Sequence, residues 1–168
     1  MQPLELLGVR LEQPANAPVL LLKELSGDGR VLPIYIGGPE AAAIALALDG
    51  EVPPRPLTHD LLRNVLVQLG AEVVQVVITD LQEHTFFAEL HLRLGEVTHV
   101  VSCRPSDAVA LAVRAGTPLY AADEVLEAAG KIPVVDEAED AADDESPDEI
   151  LEEFRAFIED VRPEDFDA

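Results

Sequence analysis

Two short runs of small apolar residues, each opened by an acid, constrain the fold of this chain more than any other feature. Glu40-Ala41-Ala42-Ala43-Ile44-Ala45-Leu46 lines up with Asp107-Ala108-Val109-Ala110-Leu111-Ala112-Val113 at an offset of 67. The first run continues to Leu48 and is apolar on every face, so as a helix it must be buried on more than one side. Its small side chains permit close approach to a sheet, another helix or a second subunit. Each run also follows three strand-like segments. Leu4 to Arg10, Val19 to Leu25 and Val31 to Ile36 precede the first, and Val73 to Thr79, Thr85 to Arg93 and Val97 to Ser102 precede the second. This order predicts an α+β domain of internally duplicated β-β-β-α units, a mixed or antiparallel sheet packed with Ala-rich helices. Glu40 and Asp107 then occupy equivalent helix starts. A short strand at Pro118 to Tyr120 and a helical turn from Asp123 to Ala128 complete residues 1–135.

Between the two units lies the densest cluster of chemically able side chains. Pro53, Pro54 and Pro56 stiffen a loop that carries Arg55 and runs into a helix over Thr58 to Leu69, with Thr58 placed to cap it. Leu61, Leu62, Val65, Leu66 and Leu69 form one apolar stripe on that helix, and Gly70 ends it. His59 and Asp60 stand in its first turn. An acid there is ordinary dipole complementation, and a histidine there is often incidental. Arg55 beside them sharpens the functional reading: a guanidinium fork grips phosphate, an imidazole moves protons near neutral pH, and a carboxylate holds a hard cation. Phosphodiester hydrolysis needs those roles together. Arg104-Pro105-Ser106-Asp107 repeats the theme, with a loop-to-helix ion pair as the structural alternative and Ser106 read as an N-cap. Cys103, the only cysteine, reads as a buried small residue, and turn and strand positions explain His84, His91 and His99.

Charge limits how such a site captures substrate. The formal net charge of -22 is uneven, with 9 Lys+Arg against 17 Asp+Glu in residues 1–135 and 2 against 16 in residues 136–168. A phosphate contact therefore has to come from local arginines or a bound cation, because broad electrostatic capture is excluded. Residues 136–146 read as an acidic linker. Ser146-Pro147-Asp148-Glu149 then opens an acidic amphipathic helix and tail over 147–168, whose apolar residues call for a partner, either this domain or another protein. No apolar run approaches the roughly twenty residues of a membrane span, and the single cysteine excludes an internal disulfide, so the expected location is the cytoplasm.

Three stretches together resemble the bifunctional nuclease family: Leu32-Pro33-Ile34-Tyr35-Ile36-Gly37 with Glu40-Ala41, Pro54-Arg55-Pro56-Leu57-Thr58-His59-Asp60, and Arg104-Pro105-Ser106-Asp107-Ala108. The resemblance spans roughly residues 4 to 130. It implies a compact α+β domain and hydrolysis of RNA and DNA. Carried onto this chain, the expected catalytic residues are Arg55, His59, Asp60 and Arg104. Arg55, Thr58, Arg104 and Ser106 are expected to bind substrate, and Glu40, Asp60 and Asp107 to hold a divalent magnesium or manganese ion. Ser102 departs from the family, where an acid often stands two residues before the second Arg-Pro. The competing expectation is a non-enzymatic regulatory module that takes an anionic ligand in the same pocket and a protein partner on the C-terminal helix. A third expectation is that the C-terminal helix packs on its own domain or mediates a homodimer.

Overall fold

The computed structural model describes residues 1–133. The linker expected at 136–146 and the helix expected at 147–168 lie outside the described residues. Seven strands and four helices follow the order β1 (Gln2–Glu12), β2 (Ala17–Glu24), β3 (Val31–Tyr35), α1 (Gly38–Leu48), α2 (Thr58–Gln68), β4 (Ala71–Gln82), β5 (Thr85–Leu94), β6 (Val97–Cys103), α3 (Pro105–Ala115), β7 (Leu119–Ala121) and α4 (Asp123–Ala129). All seven strands belong to one mixed sheet of order β3-β2-β1-β7-β4-β5-β6. The α+β class is as expected. The two three-strand groups lie on either side of β7, which pairs antiparallel with β1 and parallel with β4.

The apolar pattern explains the layering. Leu4, Leu20, Leu22, Leu32 and Ile34 from one strand group and Val76, Ile78, Ala88 and Leu90 from the other join a single core with Ile44 of α1 and Ala108 to Ala112 of α3. Helix α1 packs on β1 and β2, α3 on β4 and β5, and the two helices pack on each other. Alanine permits that approach, since bulkier side chains at the crossing would hold the helix axes apart. Among the buried polar residues the acid is Glu24, only 2% exposed, which takes two hydrogen bonds at 2.9 Å from the Arg30 guanidinium and so avoids an unpaired charge. No helix among the described residues is long and apolar enough to cross a membrane.

The helix starts differ in detail from expectation. Leu57, not Thr58, is the N-cap of α2, and the Asp60 carboxylate accepts the Leu57 N–H at 2.9 Å. Arg104, not Ser106, is the N-cap of α3, with Pro105 in the first turn where its missing N–H costs nothing. The larger difference concerns the stripe on α2. Only His59 is buried and only Leu66 of the apolar residues packs on the core, while Leu61, Leu62, Val65 and Leu69 are exposed. Apolar spacing identified the helix but not the face it docks with, because two polar anchors set its rotation.

Candidate functional site

Those anchors belong to the site. Helices α1 and α3 lie side by side with their first turns close together, which brings Glu40 and Asp107 to one guanidinium. Arg104 Nη2 donates to Glu40 Oε1 at 2.8 Å and to Asp107 Oδ1 at 3.0 Å, and its Nε donates to Asp107 Oδ2 at 2.7 Å. The fork geometry of arginine suits this bidentate contact. The Arg104 side chain is 65% exposed whereas that of Glu40 is 16% exposed, so the cation stands at the mouth with the acids behind it. A β-carbon at position 37 would fall on the Glu40 carboxylate, so a larger residue there would push that side chain aside.

Asp107 also meets His59, whose Nε2 lies 3.2 Å from Oδ1. Glu40, Arg104, Asp107 and His59 therefore form one chain of contacts across α1, α3 and α2. Asp60, one residue on, belongs to a different pair: it accepts from Arg114 Nε on the last turn of α3. Burial acts to raise the pKa of both Asp107 and Asp60. The hydrogen bonds from Arg104 and His59 in one case, and from Arg114 and the Leu57 N–H in the other, outweigh it and hold both carboxyls below their ordinary value. A depressed carboxyl pKa contributes stability that is fully present above the unfolded value of 3.8 and is lost as pH falls through the lower folded value. Acidification from about pH 5 to pH 2 is accordingly expected to loosen α2 from α3, with a midpoint below 3.8 in amide hydrogen exchange of α2.

The expected metal trio of Glu40, Asp60 and Asp107 is not assembled. The Arg104 guanidinium fills the space between Glu40 and Asp107, and Asp60 is turned to Arg114. Among the described residues no three His, Cys, Asp or Glu side chains are placed to share a metal ion. Arg55 and Thr58 are exposed on the loop and first turn of α2, and their side chains make no hydrogen bond or ion pair among the described residues. They do not reach the Arg104 network.

Sequence reasoning overlooked two features. Arg114 sits 54 residues from Asp60, a pairing no local pattern announces. His84 lies beside the site: a cavity of about 290 Å³ between the β3 end, the β4–β5 hairpin and the α3 start is lined by Tyr35, Gly37, His84, Phe86, Arg104 and Ser106, among others. Glu83 and His84 form the two-residue hairpin loop with φ of 46° and 70°. Left-handed backbone at two consecutive positions ordinarily selects glycine or asparagine, so Glu-His between two strand patterns was the available signal. Ser106 is 5% exposed, and its hydroxyl has no hydrogen-bond partner among the described residues. At Cys103, the last residue of β6, burial and then the nearby Asp107 charge push the thiol up to about 11.

The fold and the contacts define a compact α+β domain with an arginine-centred cluster of acids and imidazole at paired helix starts. The bifunctional nuclease domain family matches residues 20–133, and the chain belongs to that family. An uncharacterized protein of Mycobacterium tuberculosis (strain H37Rv), Rv1829, is 47% identical over 168 residues, covering all of this chain and 99% of that protein. Bifunctional nuclease 1 of Arabidopsis thaliana is 30% identical over 115 residues, which is 67% of this chain and 35% of the plant protein. Bifunctional nuclease 2 of Oryza sativa subsp. japonica is 27% identical over a similar length.

Proposed function

We propose that this domain hydrolyses phosphodiester bonds of RNA and DNA in the cytoplasm, with Arg104 as the phosphate-binding and charge-stabilising group. The observation that carries the reading is the convergence of Glu40, Asp107 and His59 on one exposed guanidinium, in a chain whose family is named for nuclease activity. A phosphodiester presents two non-bridging oxygens to the fork that Arg104 now offers to carboxylates, and the free N–H groups of the α3 first turn and the Ser106 hydroxyl extend the anion contact into the adjoining cavity. His59 moves the proton between the attacking water and the leaving oxygen, with the Asp107 carboxylate orienting its imidazole. Arg55 on the exposed loop reaches phosphates further along the strand. A divalent ion enters this arrangement only by displacing the guanidinium from Glu40 and Asp107.

The test is cleavage of labelled single-stranded RNA and DNA by the whole chain, with magnesium, with manganese and with chelator. Cleavage by the wild type and its loss in Asp107→Asn and His59→Gln are expected. Cleavage that continues in chelator supports the guanidinium assignment, whereas dependence on added metal returns the ion to Glu40 and Asp107. A wild type that binds oligonucleotide without cutting it favours the second reading, an anion-binding regulatory module. One observation supports that alternative: two carboxylates already neutralise Arg104, in a domain with 9 basic against 17 acidic residues.

A further inference from the structure

The cavity beside Arg104 has more to offer a ligand than a phosphate contact. Its volume of about 290 Å³ is that of roughly ten water molecules at ~30 Å³ each, which suits one flat ring system and excludes a stacked pair. Tyr35 and Phe86 bring aromatic rings to its lining. Phe86 packs against the core and the Tyr35 hydroxyl donates to Glu12, so both side chains are held by contacts of their own. Ser106 lines the same cavity, is 5% exposed and leaves its hydroxyl without a partner among the described residues. Buried hydroxyls are ordinarily bonded, because one left dry and unpaired costs free energy. The missing partner is a polar atom that enters with a ligand.

The β4–β5 hairpin adds an imidazole to this lining through a strained turn. His84 holds φ of 70° directly after Glu83 at 46°, where Asn-Gly would make the same two-residue turn without strain. Electrostatics leaves room for a contact of this kind. With 9 basic against 17 acidic residues in 1–135, the domain cannot gather a polyanion by charge. A nucleobase is neutral, and its stacking on aromatic side chains does not depend on the sign of the surrounding field.

We infer that this cavity seats the base of one unpaired nucleotide, next to the phosphate held by Arg104. The inference rests on the assignment of Arg104 as the phosphate-binding group. Phe86, Tyr35 and His84 supply the ring surfaces against which the base lies. Ser106 serves both contacts, since a hydroxyl that donates to the phosphate still accepts an N–H from the edge of the base. Every base has a π-face, so purines and pyrimidines of RNA and DNA share one seat. A base inside a duplex is stacked and paired, and it reaches the cavity only when turned out of the helix.

Fluorescence anisotropy of the whole chain tests this with two end-labelled DNA strands of equal length, both with phosphorothioate linkages to keep them intact. One carries bases and the other consists of abasic tetrahydrofuran residues, so the two match in charge. The wild type is expected to bind the strand with bases about 5- to 150-fold more tightly, the range for stacking one base. Phe86→Ala is expected to remove most of that difference and to leave the abasic strand unaffected. Because Phe86 packs against the core, His84→Gly is the second variant: glycine adopts the same φ without strain, and the difference is expected to shrink about threefold or more. If Phe86→Ala does not fold, His84→Gly alone decides. Arg104→Ala is expected to weaken both strands alike. Should it weaken neither while Phe86→Ala stays selective, the phosphate assignment falls and the base seat stands. Equal affinity of the wild type for the two strands, or a difference untouched by the substitutions at 84 and 86, overturns the proposal. Adenosine monophosphate that binds more tightly than the strand also overturns it, since the cavity then takes a free nucleotide.

Discussion

Arg104→Ala is expected to lower kcat/KM on single-stranded RNA and DNA by about 10²- to 10³-fold, the usual cost of deleting a preorganised donor at developing transition-state charge. The effect should fall mainly on kcat, because ground-state affinity for a polyanion is spread over several contacts and the guanidinium acts where charge accumulates. Arg104→Lys keeps the charge but loses the fork that bridges Glu40 and Asp107, so an intermediate loss of about tenfold is expected. Folding is a weak competitor as an explanation: the side chain is 65% exposed, and exposed ion pairs contribute about 0–1 kcal/mol. Thermal unfolding of Arg104→Lys, which keeps a cation beside Glu40 and Asp107, therefore stays close to wild type and separates a catalytic loss from a folding one. Activity that survives Arg104→Ala removes Arg104 from the chemistry, even if the chain proves to be a nuclease.

Arg114→Ala should instead act on stability, lowering it by about 2 to 3 kcal/mol, because the side chain is 8% exposed and its loss strands a partly buried Asp60. In a chain of this size that corresponds to a fall of roughly 4–10 °C in the unfolding midpoint. The damage should concentrate in α2, where hydrogen exchange accelerates before the sheet opens. Arg114→Ala with Asp60→Asn removes the stranded charge and should recover part of the loss. If the single variant unfolds like the wild type, the Asp60–Arg114 pair is not an anchor of α2.

Strand alternation and the two alanine-rich runs made most of the sheet and both central helices legible, and the matching positions of Glu40 and Asp107 led to half of the site. What stayed hidden has a common cause, contact between residues distant in sequence. Asp60 looked like a metal ligand because its partner lies on α3. Leu61 to Leu69 looked like a core stripe because hydrophobic spacing reports that a helix is amphipathic without reporting which side docks. His84 looked like a turn residue, which it is, and only the fold places that turn beside Arg104 and Ser106. The strand at Pro118 to Tyr120 was visible, but three residues carry too little pattern to announce a central position.

That position bears on how the chain assembles. β7 joins β1 on one side and β4 on the other, and it comes after all six of the strands it unites. During synthesis the two strand groups and their helices can each form by local hairpins, yet the sheet stays in two pieces until residues 119–121 arrive as a keystone. Closure is the most nonlocal event in the domain and sets a slow final step in folding. A ribosome stalled before residue 119 would display two half-built sheets with open seams.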